Sequence, residues 1–287
     1  MENASKDVLF TIALNLDLPS LLRWCSSSSR INRDVCINNN VWRSKLLKDY
    51  PDYQIFNLNR SLRETYVFLY QLSLIKQMLN TNKSLYDIFL RKELDLRGKA
   101  LKKVVSFDLP NLKELELFNN QLTEVPLFHL PNLRMLGLTS NQLITVPSFD
   151  LPNLQKLYLS SNRLTEVPAF DLPNLQELYL SKNQLIAVPS FHLPNLQKLG
   201  LSQNRLIRVP ALHLPKLLEL YLGDNQLTEV PEFNLPNLQY LYLYNNQLTE
   251  VPAFNLPNLQ ELSLVDNRFT EEEKARLENE YQNKVHL

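Results

Sequence analysis

Leu109-Pro110-Asn111-Leu112 returns as Leu130-Pro131-Asn132-Leu133, and the interval of 21 residues between them then persists down the chain. Further copies begin at Leu151, Leu172, Leu193, Leu214 (as Leu-Pro-Lys-Leu), Leu235 and Leu256. A fixed period of about 20 to 50 residues marks a solenoid, in which each unit is one coil stacked on the next. No such period exists before residue 91. The sequence therefore predicts an α+β chain: a small all-α N-terminal head, a curved solenoid and a closing element at the C-terminus.

Composition agrees. The 287 residues hold seventeen prolines against four glycines, and the excess proline sits in the repeated Leu-Pro and Val-Pro slots. Thirty basic residues balance thirty acidic ones, and neither the head nor the array is polarised enough to indicate nucleic acid or a membrane surface as partner. No run of 18 apolar residues exists to span a bilayer. Glu2, Lys6 and Asp7 interrupt the N-terminus, so no secretory leader is read there. Cys25 and Cys36 are the two cysteines. Both lie in apolar helical context, which predicts inert buried thiols, and an array without cysteine-bonded caps, secretory leader or membrane span reads as intracellular, in a reducing, cytoplasmic compartment.

Aligned from Leu112, the unit reads Leu-x-x-Leu-x-Leu-x-x-Asn-x-Leu-x-x-Val-Pro-x-Phe-x-Leu-Pro-Asn. Leu115 and Leu117 alternate with Glu116 and predict a short strand with leucines inward; equivalent strands stack at about 4.8 Å into a parallel concave sheet. Asn120 and its equivalents at 141, 162, 183, 204, 225, 246 and 267 sit where the chain leaves the strand, where an amide can satisfy backbone groups of two coils. The two prolines of the return path exclude a helix. Phe128, Phe149, Phe170, Phe191, Phe233 and Phe254, with Leu212 in the same slot, fill the convex half of the core. The unit resembles the leucine-rich repeats, in a short form. Nine turns result over 91–269, the first degenerate, with Lys99 in place of asparagine. Thr270 followed by Glu273 predicts a capping box and a terminal helix over 270–287, with Leu277 and Tyr281 toward the last coil.

In such an array the outward strand positions form the binding face. They carry Tyr158, Tyr179, Tyr221 and Tyr242, with Phe118, Tyr240 and Tyr244 beside them. Aligned tyrosines give stiff, amphipathic contact area, so these seven residues are the candidate target-binding set. Gly200 and Gly223 are expected to leave hollows between them. Lys156, Glu177, Lys198 and Glu219 alternate in sign on neighbouring strands, which suits either recognition or a plain charge ladder. Catalysis finds no support. His129, His192 and His213 share one slot with Asp108, Asp150, Asp171, Asn234 and Asn255, which makes it a polar loop position. No phosphate-binding glycine loop, metal-ligand set or nucleophile motif is present, so neither cofactor nor metal is expected.

The head carries apolar residues at helical spacing (Leu9, Ile12, Ala13, Leu16), then Asp17-Leu18-Pro19, then Leu21, Leu22 and Cys25. A Ser/Arg-rich stretch follows, a third short helix from Asp34, and a fourth opening at Val41-Trp42-Arg43 with Leu46 and Leu47 on its apolar side. Over residues 1–50 this order, with its closing Trp-Arg-x-x-Leu, resembles an F-box. Residues 51–90 read as a helical linker. The resemblance implies docking to the Skp-type adaptor of a cullin–RING ubiquitin ligase through Leu9, Ile12, Leu16, Leu18, Leu21, Leu22 and Trp42, with a target protein held by the array. Its pairing with short, near-identical repeats resembles proteins of large DNA viruses, which implies the host cytoplasm. The alternative is a repeat scaffold whose head is only a helical cap. Exposure of Leu9, Leu18 and Leu21 separates the two readings, because a cap buries them.

Overall fold

A computed structural model describes residues 4–287; Glu2, part of the leader reading, lies outside the described residues. The chain divides into two compact units, residues 1–90 and 91–287.

The first unit is helical. α1 (Lys6–Asn15) starts at Ser5, whose hydroxyl accepts from the Val8 N–H, and α2 (Leu18–Ser26) starts at Asp17, which accepts from Ser20. Pro19 falls in the first turn of α2, where its missing N–H costs no hydrogen bond, so it opens that helix as well as ending α1. The expected third helix is a three-residue turn, α3 (Ser29–Ile31), running into a π-helix over Asn32–Cys36. α4 (Asn39–Asp49) follows, and α5 (Leu62–Leu79) and α6 (Leu85–Phe89) each open on a reciprocal capping box. The α4–α5 packing places residues 51–90 in the same unit as the F-box-like segment: the Trp42 and Tyr66 rings lie 5.6 Å apart. Lys45 is almost fully buried; its ammonium donates to the Leu16 carbonyl (2.7 Å) and to Asp49, which also accepts from the Tyr66 hydroxyl (2.6 Å). A buried charge is tolerated there because every polar partner is present.

Cys25 and Cys36 correct the thiol expectation. They form a disulfide, with Cα atoms 6.0 Å apart, joining the end of α2 to the π-helix. Eleven residues separate them in sequence, and only the turn of the chain through α3 brings them together. Such a bond is uncommon in the reducing compartment expected from the sequence. Among the described residues no helix is long and apolar enough to cross a membrane.

The second unit is the solenoid. Its strands are β1 (Glu93–Asp95), β2 (Glu114–Glu116), β3 (Met135–Gly137), β4 (Lys156–Tyr158) and β5 (Glu177–Tyr179). β6 (Lys198–Gly200), β7 (Glu219–Tyr221), β8 (Tyr240–Tyr242) and β9 (Glu261–Ser263) continue them. All pair in parallel, in chain order, with equivalent residues in register. The inward leucines, such as Leu115 and Leu117, are fully buried, as are Phe128, Phe170, Phe191 and Phe233 across the core. Each buried side chain of this kind is worth about 1.5–3 kcal/mol, so the stacked coils, more than the three-residue strands, hold the unit together.

The conserved geometry of each turn comes from two amide ladders. Asn183 donates to the carbonyls of Leu180 in its own coil and Leu159 in the preceding one, and accepts from the Leu164 N–H. The other buried asparagines repeat this pattern. On the opposite flank the asparagines of Leu-Pro-Asn form a second, exposed ladder to the previous coil's proline carbonyl, as in Asn153 to Pro131 (2.8 Å). The residue before each buried asparagine is left-handed, at φ 55° for Asn119, 59° for Lys182 and 58° for Gln203.

The C-terminal helix α7 (Glu271–Tyr281) is present, with Leu277 and Tyr281 buried. Its cap is half a box. Thr270 accepts from the Glu273 N–H (3.2 Å), but the Glu273 carboxylate turns to the Val251 N–H and to Arg276 instead of back to Thr270. A last strand, β10 (Val285–His286), adds to the sheet edge beside β9.

Candidate interaction surface on the open sheet face

The outward residues of β2 to β9 form one row per strand position, set by the in-register pairing. All seven aromatic candidates lie on this face and are partly exposed. They fall into two groups. Phe118, Tyr158 and Tyr179 are neighbours, with ring centroids 6.2 Å and 5.6 Å apart. Tyr221 and Tyr242 stack at 5.1 Å with planes only 11° apart, and Tyr240 and Tyr244 flank them.

The expected hollows at Gly200 and Gly223 do not exist. The Tyr244 ring occupies the space a Cβ on Gly223 would need, and Tyr179 does the same at Gly200, where its Cδ1 would lie 2.7 Å from such a Cβ. Phe118 likewise covers Gly137. The glycines are seats for rings from the neighbouring coil, and the two aromatic groups are continuous pads.

Carboxylates of the row two residues earlier, read from the sequence only as a charge pattern, fix the tyrosines. Tyr158 donates to Glu177 (2.9 Å), Tyr242 to Glu261 (3.4 Å) and Tyr221 to Glu219. Burial, then the carboxylate acceptor, holds the Tyr158 and Tyr221 hydroxyls well above the usual phenol range. Tyr242 is raised for the same reasons, so these phenols stay protonated donors. The available signal was position: each glutamate stands two residues before a strand's central outward residue. The alternating charges are a ladder, with Lys156 bound to Glu177 (2.9 Å) and Lys198 to Glu219 (2.7 Å). Burial alone would raise Glu219, but the bonds from Lys198 and Tyr221 outweigh it and lower its pKa.

His129, His192 and His213 are exposed loop residues, and no group of three metal-binding side chains exists among the described residues.

In the head, Leu9, Leu18, Leu21 and Trp42 are buried, at 4% exposure or less. They are core residues of the helical unit, in the packing behind its surface. Trp42 also donates its indole N–H to the Cys36 carbonyl. Ile12, Leu16 and Leu22 are half-buried. Leu47, read as core, is exposed together with Val8 and Ile37, because α4 turns Leu46 inward instead.

The family model for leucine rich repeats (two copies) matches residues 110–150, 152–191, 194–235 and 236–273, more than half of the chain. Among solved structures, YopM from Yersinia enterocolitica WA-314 is 34% identical over 59% of this chain, with a TM-score of 0.54. This chain spans only 36% of that protein's length. InlP of Listeria monocytogenes is 27% identical, covering 75% of this chain and 67% of its own, with a TM-score of 0.60. YopM from Yersinia pestis, a leucine-rich effector protein, shares the fold at 24% identity over 80% of this chain and 67% of its own (TM-score 0.53). No curated protein sequence matches the chain significantly.

Proposed function

The chain belongs to the leucine-rich repeat family, and we propose that it is a non-catalytic interaction scaffold whose open sheet face holds a partner protein. The supporting observation is the pair of aromatic pads, seven large side chains contributed by five of the coils and left partly exposed. Aromatic rings with polar tips dominate binding hot spots because they bury area at little cost in side-chain entropy. Truncating Tyr158 and Tyr242 together to alanine should weaken partner binding at least about a hundredfold, two hot-spot residues at about 1.4 kcal/mol or more each, while circular dichroism stays unchanged.

A second reading has the head deliver that partner to a cullin–RING ubiquitin ligase through a Skp-type adaptor. It draws on the helix order of the head and on the exposed apolar residues Val8, Ile37 and Leu47. A large-DNA-virus source and a host-cytoplasmic site of action go with it. The burial of Leu9, Leu18 and Leu21 favours the scaffold with a helical cap. Co-purification of the whole chain with a Skp adaptor decides between them. Retention lost on Val8→Asp with Leu47→Asp, both at exposed positions, establishes the receptor reading. No retention of a folded chain removes it and leaves the scaffold.

A further inference from the structure

We infer that the Tyr221–Tyr242–Tyr244 pad takes the arginine and lysine side chains of an extended basic segment of the partner, an inference that rests on reading this face as the binding surface. The chemistry of the pad is one-sided. Tyr221, Tyr240 and Tyr242 direct their hydroxyl hydrogens to Glu219, Gln260 and Glu261. What these three present outward are ring faces, phenol oxygen lone pairs and carboxylate oxygens, all electron-rich. A ligand that brings donors suits these three groups.

Charge points the same way. Glu261 has no ion pair among the described residues, and the lysines within these strands, Lys198 and Lys156, are already bound to Glu219 and Glu177. At the other end of the face, Glu93 lies opposite Glu114 and Asp95 opposite Glu116, in register. Like charges directly opposite are unfavourable, and Arg97 alone bridges Asp95 and Glu116. An acidic or phosphorylated partner would meet no unpaired cation on these strands; a basic one would find negative charge at both ends. The flat Tyr221–Tyr242 stack suits a guanidinium laid over a ring, and Tyr244, seated on Gly223, widens it.

The test pans a display library of short random peptides on the whole chain and rebinds the selected peptides to Tyr158→Ala, Tyr242→Leu and Glu261→Gln. Peptides enriched in Arg and Lys are expected, with affinity falling about tenfold on either substitution and falling with added salt. Glu261→Gln is a near-isosteric change at a strand surface, so its effect does not depend on tolerance of the larger substitution. Peptides that lose binding on Tyr242→Leu but are neutral or acidic overturn the inference and keep the binding face. Peptides indifferent to both Tyr158→Ala and Tyr242→Leu, or no enrichment at all, overturn both.

Discussion

Asn183 uses both ends of its amide on the backbone, and so joins two coils with one side chain. Replacing it by alanine orphans the Leu164 N–H in a buried turn and leaves the Leu159 and Leu180 carbonyls with one donor each, from Asn162 and Asn204. At about 1–3 kcal/mol for one unsatisfied buried group, with two further hydrogen bonds lost, the expected cost is about 2–3 kcal/mol, read from urea unfolding. His192→Ala, at an exposed loop position, should stay within about 0.5 kcal/mol in the same assay. The asparagine was legible because its residue type repeats and its chemistry is specific. The left-handed residue before it was not: Asn119, Ser140, Lys182, Gln203 and Asp224 share a conformation but no side chain, and none is glycine. The glycine seats were misread for a related reason. Nothing in one coil says that a neighbouring coil's ring will fall across it.

The terminal helix α7 was legible from its threonine, its acidic first turn and its apolar spacing, whereas the two-residue β10 has no period to betray it. Arg276 donates to the Val251 carbonyl and Glu273 accepts from the Val251 N–H, so one ion pair clamps the helix to the last coils. Hydrogen bonds from Arg276, then the Val251 amide, hold the Glu273 carboxyl below its ordinary 4.5. A depressed carboxyl contributes stability that is complete above the unfolded value and lost as pH falls through the folded one. Hydrogen exchange around Val251 should therefore quicken below about pH 4.5, and Glu273→Gln should remove most of that dependence. In the head, the disulfide closes a short loop between α2 and the π-helix. Reduction should cost that unit about 2–3 kcal/mol. Heating with and without reductant checks it: only the helical transition should move.

At the scale of the whole chain, fold class and repeat count were written in the period of 21. The head was less legible, because short helices carry no such redundancy and their burial depends on tertiary packing. Residues 51–90 looked like a connection and instead complete the head's own unit. The periodicity makes a sharp prediction. Deleting residues 164–184 rejoins Arg163 to Leu185 in phase and should leave a folded, shorter array with unchanged circular dichroism per residue. Deleting 164–183, one residue fewer, turns every later inward leucine of that coil toward solvent and should not fold cooperatively.

The two amide ladders also have a genetic consequence. Because the bonds across each junction are nearly the same, a coil has little to tell it which neighbour it was born beside. Unequal crossing-over between such similar units would lengthen or shorten the gene in steps of 21 codons, and each product would still encode a chain whose coils close on one another. Natural alleles are therefore expected to differ by whole steps of this size within the array, with the aromatic pads of the retained coils carried along intact; sequencing the locus across isolates would reveal it.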